Sequence, residues 1–169
     1  MDFDEFMAMA SSLGVKPLVV VNIFSYKYSG GPTYAQLKKS AVEWVKYAKA
    51  KGYAVEYWQI GNEVDHHQDL LTKEEYVDLY FDFTAAMKAV DPTIQVGPGI
   101  LGNKTYYDAI LARNASLVDF LSVHQYLFGQ PELNSYEGYR NYTGNYLTGL
   151  TNVTAANTGH EKPIMVTET

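Results

Sequence analysis

Tyr57-Trp58-Gln59-Ile60-Gly61-Asn62-Glu63 is the stretch on which the fold turns. A short, largely apolar run with strand-forming residues is followed by a glycine and then by an Asn-Glu pair. An apolar strand has no structural need for a carboxylate at its end, because a partly buried carboxylate costs free energy unless it is paired. The same arrangement returns near residue 168, where Ile164-Met165-Val166-Thr167 runs into Glu168. If the two strands are parallel, both carboxyl groups reach one rim of one sheet.

Outward from these strands the chain alternates helix and strand. Phe3, Phe6, Met7, Ala10 and Leu13 recur at helical spacing over residues 2–13, with acidic residues in the first turn and Gly14 placed to end the helix. The continuous β-branched run at 17–23 predicts a strand buried on both faces. Thr33 and Gln36 have capping-box spacing ahead of Leu37, Ala41, Trp44, Val45 and Ala48, and Gly52 closes that helix. The strand at 55–61 follows. Thr72 and Glu75 repeat the capping box before Tyr76, Leu79, Tyr80, Phe83, Met87 and Val90, which Asp91-Pro92 stops. A short strand at 94–96 leads into Gly97-Pro98-Gly99, and a helix covers 104–113. Strands at 118–126 and 163–168 complete the series, with helical potential at about 146–157. Such alternation predicts a parallel sheet with helical crossovers, either open and doubly wound or a sector of a closed barrel. No glycine-rich phosphate loop follows the first strand, which removes the main sign of a nucleotide-binding open sheet. The polar residues Asn22, Asn62, Glu63, His124, Tyr126 and Glu168 all fall at C-terminal strand ends, the face on which (β/α)8 barrels build active sites.

Composition narrows the classes of function. The chain has 169 residues, 47% of them hydrophobic, enough for one core. A complete (β/α)8 barrel usually needs about 200–250 residues, so a partial barrel is expected. The charge of −6 includes no basic cluster, which argues against nucleic acid. Apolar runs are too short to span a membrane, and the N-terminus lacks the pattern of a signal peptide. Cysteine is absent, so disulfide and thiolate chemistry are excluded. Sequons at Asn103, Asn114, Asn141 and Asn152 tilt the reading toward an extracellular protein. No metal or other cofactor is expected: His66 and His67 are adjacent and would point apart, and no H-E-x-x-H occurs. Tyr126, Tyr136, Tyr139, Tyr142 and Tyr146 interleave with Asn and Gly, which suits a sugar-binding loop or tyrosines packed on the barrel top.

Two strand-end carboxylates suit retaining glycoside hydrolysis, in which one protonates the leaving oxygen and the other attacks the anomeric carbon. Y-W-Q-I-G-N-E at 57–63 resembles the acid/base strand of glycoside hydrolase clan A, and P-I-M-V-T-E at 163–168 is similar to the strand that ends in the nucleophile. S-V-H-Q-Y at 122–126 resembles the sixth barrel strand of that clan. Residues 4–22 and the helix carrying A-V-E-W-V-K-Y look most like the family 51 α-L-arabinofuranosidases, with families 79 and 39 as further resemblances.

The resemblance implies Glu63 as acid/base and Glu168 as nucleophile, on arabinofuranosides or related plant or matrix polysaccharides. It implies that Asn62 hydrogen-bonds the hydroxyl beside the anomeric carbon and that Tyr126 holds Glu168 ionised. It places His124 beside them and Asn22 on the substrate-binding rim. Trp58 is expected to pack in the barrel interior. The five strands correspond to the third to seventh of a barrel, so residues 1–169 are expected to be one catalytic-barrel segment, incomplete at both ends. Its partners would be an oligo- or polysaccharide and the remaining strands of a longer chain. The arginine that clan members often carry on the second strand has no counterpart here. A non-catalytic fragment that binds carbohydrate, or serves only as structure, is the alternative.

Overall fold

The computed structural model of the chain describes residues 2–126, 135–137 and 148–169. Tyr139, Tyr142, Tyr146 and the sequon at Asn141 lie outside the described residues. Five helices and five strands alternate in the described part: α1 (Phe3–Leu13), β1 (Leu18–Val21), α2 (Tyr34–Lys51), β2 (Tyr57–Ile60), α3 (Lys73–Lys88), β3 (Gln95–Pro98), α4 (Lys104–Asn114), β4 (Leu121–His124), α5 (Thr148–Ala156) and β5 (Ile164–Glu168). The first three strands form one parallel ladder and the last two another. This is a sector of a (β/α)8 barrel.

The helices begin where local chemistry allows. Asp2, Thr33 and Thr72 each cap a helix, and Glu5, Gln36 and Glu75 reach back to close reciprocal capping boxes. The carboxyl of Glu75 is held below its ordinary value, chiefly by the backbone N–H of Thr72 and then by Lys27. Gly14 and Gly52 end α1 and α2 in the left-handed conformation.

β3 and β4 do not form a continuous ladder. Pro98 offers no N–H there, and the seam is closed by other groups. Asp119 N–H donates to Val96 O at one end and His124 N–H to Leu101 O at the other, both at 3.0 Å. Between them the Ser122 hydroxyl donates to Pro98 O and accepts from Ile100 N. Tyrosine hydroxyls on the helices complete the stitching. Tyr76 donates to Ile60 O and accepts from Gly99 N, Tyr80 donates to Val96 O, and Tyr107 donates to Ser122 O at 2.7 Å. All three rings are buried, so each phenol satisfies a polar tip inside an apolar layer. Burial raises the pKa of all three phenols.

Several side chains depart from the sequence expectation. β1 is not buried on both faces: Val20 is 48% exposed, and among the described residues β1 is paired only with β2. Leu13 and Trp44 fall on the apolar stripes of α1 and α2 yet are exposed. Trp58 is buried, but it shares a cavity with Val19, Val21, Leu37 and Ala41, on the helix-facing side of the sheet and not in the barrel interior. No helix among the described residues is long and apolar enough to cross a membrane.

Candidate active site

Glu63 follows β2 through a tight turn. Gly61 has φ 79°, and a Cβ there would meet Ile23 Cδ1 at 2.6 Å. A Cβ on Gly99 would lie 2.0 Å from Gly61 O, so the β3 backbone presses directly on this turn. Glu63 itself adopts φ 47°, a left-handed conformation rare for a residue with a Cβ.

Glu168 ends β5, and a register irregularity between Val123 and His124 brings it opposite His124. The His124 side chain is fully buried between the two carboxylates. Its Nδ1 hydrogen-bonds Glu63 Oε1 at 2.9 Å, while Nε2 lies 3.6 Å from Glu168 Oε1 and has no hydrogen-bond partner among the described residues. One carboxylate oxygen of each Glu and a ring nitrogen of His124 all fall within 4.8 Å of one another. The Tyr126 hydroxyl donates a short hydrogen bond to Glu168 Oε2. That bond is the main cause of the rise in the Tyr126 phenol to about 12, so it stays protonated and able to donate.

The other expected residues divide. Asn62 is half-buried beside Glu63, and its Oδ1 is 3.4 Å from Gln59 Nε2. Asn22 is turned to its own loop: its Oδ1 accepts from Phe24 N and Ser25 N, and its Nδ2 donates to Ser25 Oγ. It lines a different cavity from Glu63. His66 and His67 do diverge, His66 toward the Glu63 cleft and His67 onto the Phe24 ring. The amide of Asn152, a sequon residue, donates to Gly102 O at 2.9 Å.

A cleft of about 650 Å³ opens beside Glu63, lined by His66, Gly102, Asn103, His124, Tyr126 and Asn152 among others, but not by Glu168. A larger hollow of about 760 Å³ lies between α1 and α2, away from the strand ends. Asp4 and Glu43 in its walls are already paired with Lys51 and Lys46. The trio of Glu63, His124 and Glu168 could each offer an atom to a metal ion, but Nδ1 of His124 is engaged by Glu63 and one oxygen of Glu168 by Tyr126. Asp65, two residues beyond Glu63, is a buried carboxylate that the sequence does not single out. Its partners are backbone amides of a distant loop, and no local pattern announces them.

No protein-family profile matches the chain. It is 26% identical over 157 residues to a probable α-L-arabinofuranosidase C of Aspergillus fumigatus, covering 77% of this chain and 30% of that protein. It is 33% identical over 96 residues to a β-xylosidase of Geobacillus stearothermophilus, covering 54% of this chain and 19% of the relative. Among solved structures, the GH51 arabinofuranosidase of Xanthomonas axonopodis pv. citri superposes on 96% of this chain and 38% of its own, with a TM-score of 0.72. At 16% identity that likeness is one of fold. The chain thus resembles the family 51 glycoside hydrolases over most of its length, and it spans less than a third of the curated relatives named here.

Proposed function

We propose that this chain is the catalytic segment of a retaining glycoside hydrolase of clan A, acting on arabinofuranosides or related plant or matrix polysaccharides. The observation that carries the proposal is the convergence of Glu63 and Glu168 from the ends of two separate strands, with one carboxylate oxygen of each and a ring nitrogen of His124 all within 4.8 Å of one another, a close approach that favours retention. Retention needs carboxyl groups about 5–5.5 Å apart, whereas inversion needs about 6.5–9.5 Å to hold a water between them.

In this scheme Glu168 attacks the anomeric carbon as the glycosidic C–O bond breaks, and Glu63 gives its proton to the departing oxygen. Water then enters, Glu63 takes a proton from it, and the glycosyl–Glu168 bond is hydrolysed. Tyr126 keeps a donor on the non-attacking oxygen of Glu168. His124, bonded through Nδ1 to Glu63 Oε1, holds that carboxyl in orientation while Glu63 gives up and regains its proton. Asn62, whose Oδ1 lies 3.4 Å from Gln59 Nε2, is assigned in this scheme to the hydroxyl beside the anomeric carbon. The remaining barrel strands, from a longer polypeptide, are the other partner in this proposal.

The test is a panel of chromogenic glycosides on the full-length gene product, with two variants. Glu168→Ala is expected to abolish turnover, with azide or formate restoring part of it by replacing the nucleophile. Glu63→Ala is expected to keep more activity on substrates whose leaving groups need no protonation. Equal losses on good and poor leaving groups would count against these roles, and sugar binding without turnover by the wild type would favour a non-catalytic carbohydrate-binding protein.

A further inference from the structure

Asp65 is buried, with 6% of its surface exposed, and among the described residues no Lys or Arg pairs with it. Its carboxylate instead accepts three consecutive backbone N–H groups from the loop after β3. Leu101 N–H donates to Oδ1 at 2.8 Å, and Gly102 and Asn103 donate to Oδ2 at 3.1 and 2.9 Å. Such charge-assisted bonds offset the cost of burying the carboxylate. They also close a circuit around Glu63. Leu101, held by Asp65, accepts from His124 N–H at 3.0 Å, and His124 Nδ1 bonds Glu63 Oε1 at 2.9 Å. The peptide chain from Glu63 to Asp65 completes the ring. Inside that ring Glu63 keeps its left-handed backbone, a conformation that persists where the surroundings enforce it.

We propose that Asp65 is a positioning residue for proton donation by Glu63. By clamping the loop at 101–103 it holds Glu63 in its strained turn and fixes the distance between Glu63 and the opposite wall of the cleft. Leu101, Gly102, Asn103 and Glu63 all line that cleft, so the clamp shapes the wall beside Glu63, the side on which a leaving group protonated by Glu63 departs. This rests on the acid/base role proposed for Glu63. A carboxylate is required because both oxygens accept. An Asn amide nitrogen at the Oδ2 position would face the N–H groups of Gly102 and Asn103 with a donor.

The experiment measures kcat/KM of the full-length enzyme on dinitrophenyl and on alkyl glycosides of the same sugar. A general acid contributes about 10²–10⁴-fold, and a misplaced one loses part of that. Asp65→Asn is expected to lose at least about tenfold more on the alkyl than on the dinitrophenyl substrate. Loss of folded enzyme alone would lower both by one factor, and that result overturns the proposal. If Asp65→Asn does not fold, Asn103→Pro is compared with Asn103→Ala. Both lose the side-chain cap of α4, but only Pro deletes the N–H that Asp65 accepts, and the φ of −80° at Asn103 suits proline. Asn103→Pro is expected to show the greater leaving-group dependence, and equality of the two overturns the proposal. A Glu63→Ala enzyme without leaving-group dependence would instead overturn the acid/base role itself.

Discussion

At Tyr126 one hydrogen bond links two otherwise independent facts, an exposed phenol and an oriented carboxylate. A hydrogen bond to a charged group is among the stronger ones in water, so under the proposed function Tyr126→Phe is expected to lower kcat of the full-length gene product about 10–100-fold on all leaving groups. The uniformity separates it from changes at Glu63, and it is checked on the same two substrates. The sign of the pH effect follows from the raised phenol. Tyr126 remains a donor until pH approaches about 12, so the alkaline limb of the pH–rate profile is expected to fall well below that and to survive in Tyr126→Phe. An alkaline limb that disappears in the variant would assign it to Tyr126. Glu63, Glu168, His124 and Tyr126 were legible in the sequence because polar residues at the ends of apolar strands conflict with simple burial. Asp65 and the irregularity beside His124 were not, because each is defined by a neighbouring strand or loop and not by its own segment.

Among the elements, helix starts were the most legible, since a capping box is a local contract between residues three apart. Thr33 with Gln36 and Thr72 with Glu75 were visible in the sequence, and both boxes form. Exposure was less legible: a stripe of apolar residues says that a helix has a buried side, not how far its neighbours extend. Leu13 and Trp44 belong to such stripes and are exposed. The β3–β4 seam was the least legible feature, because a serine in an apolar strand does not reveal which backbone groups it will serve. Ser122 serves two of them, Pro98 O and Ile100 N. Ser122→Ala removes the hydroxyl and leaves both groups buried without that partner, a loss of about 1–3 kcal/mol for each such group. Made in the full-length gene product, the variant is expected to melt several degrees lower than the wild type and to reach its urea midpoint earlier with an unchanged slope. A melting point equal to that of the wild type would mean that the seam is held by the backbone bonds at its two ends.

The molecule as a whole has a contradiction between its edges and its core. The core is continuous from Met7 to Ala156 and buries large side chains such as Trp58, Phe83 and Tyr107 completely. Yet among the described residues β1 pairs only with β2, and β5 only with β4. Val20, Ile164 and Val166 on these two strands are each at least 36% exposed. Exposed apolar edge strands offer unpaired N–H and C=O groups to any second strand, a hazard that proteins usually blunt with charge, proline or cover. Neither strand carries Lys or Pro. The 169-residue chain produced alone is therefore expected to self-associate and to turn over substrate weakly at most. Light scattering across a concentration series measures the first, and the glycoside panel the second. Val20→Lys combined with Val166→Lys is expected to shift the chain toward monomer without restoring activity, because lysine at the edges discourages strand addition but supplies no missing strand. A wild-type chain that stays monomeric, melts cooperatively and turns over at about 1–1000 per second would mean that these edges are tolerated in solution, and that five strands suffice for the chemistry proposed for Glu63 and Glu168.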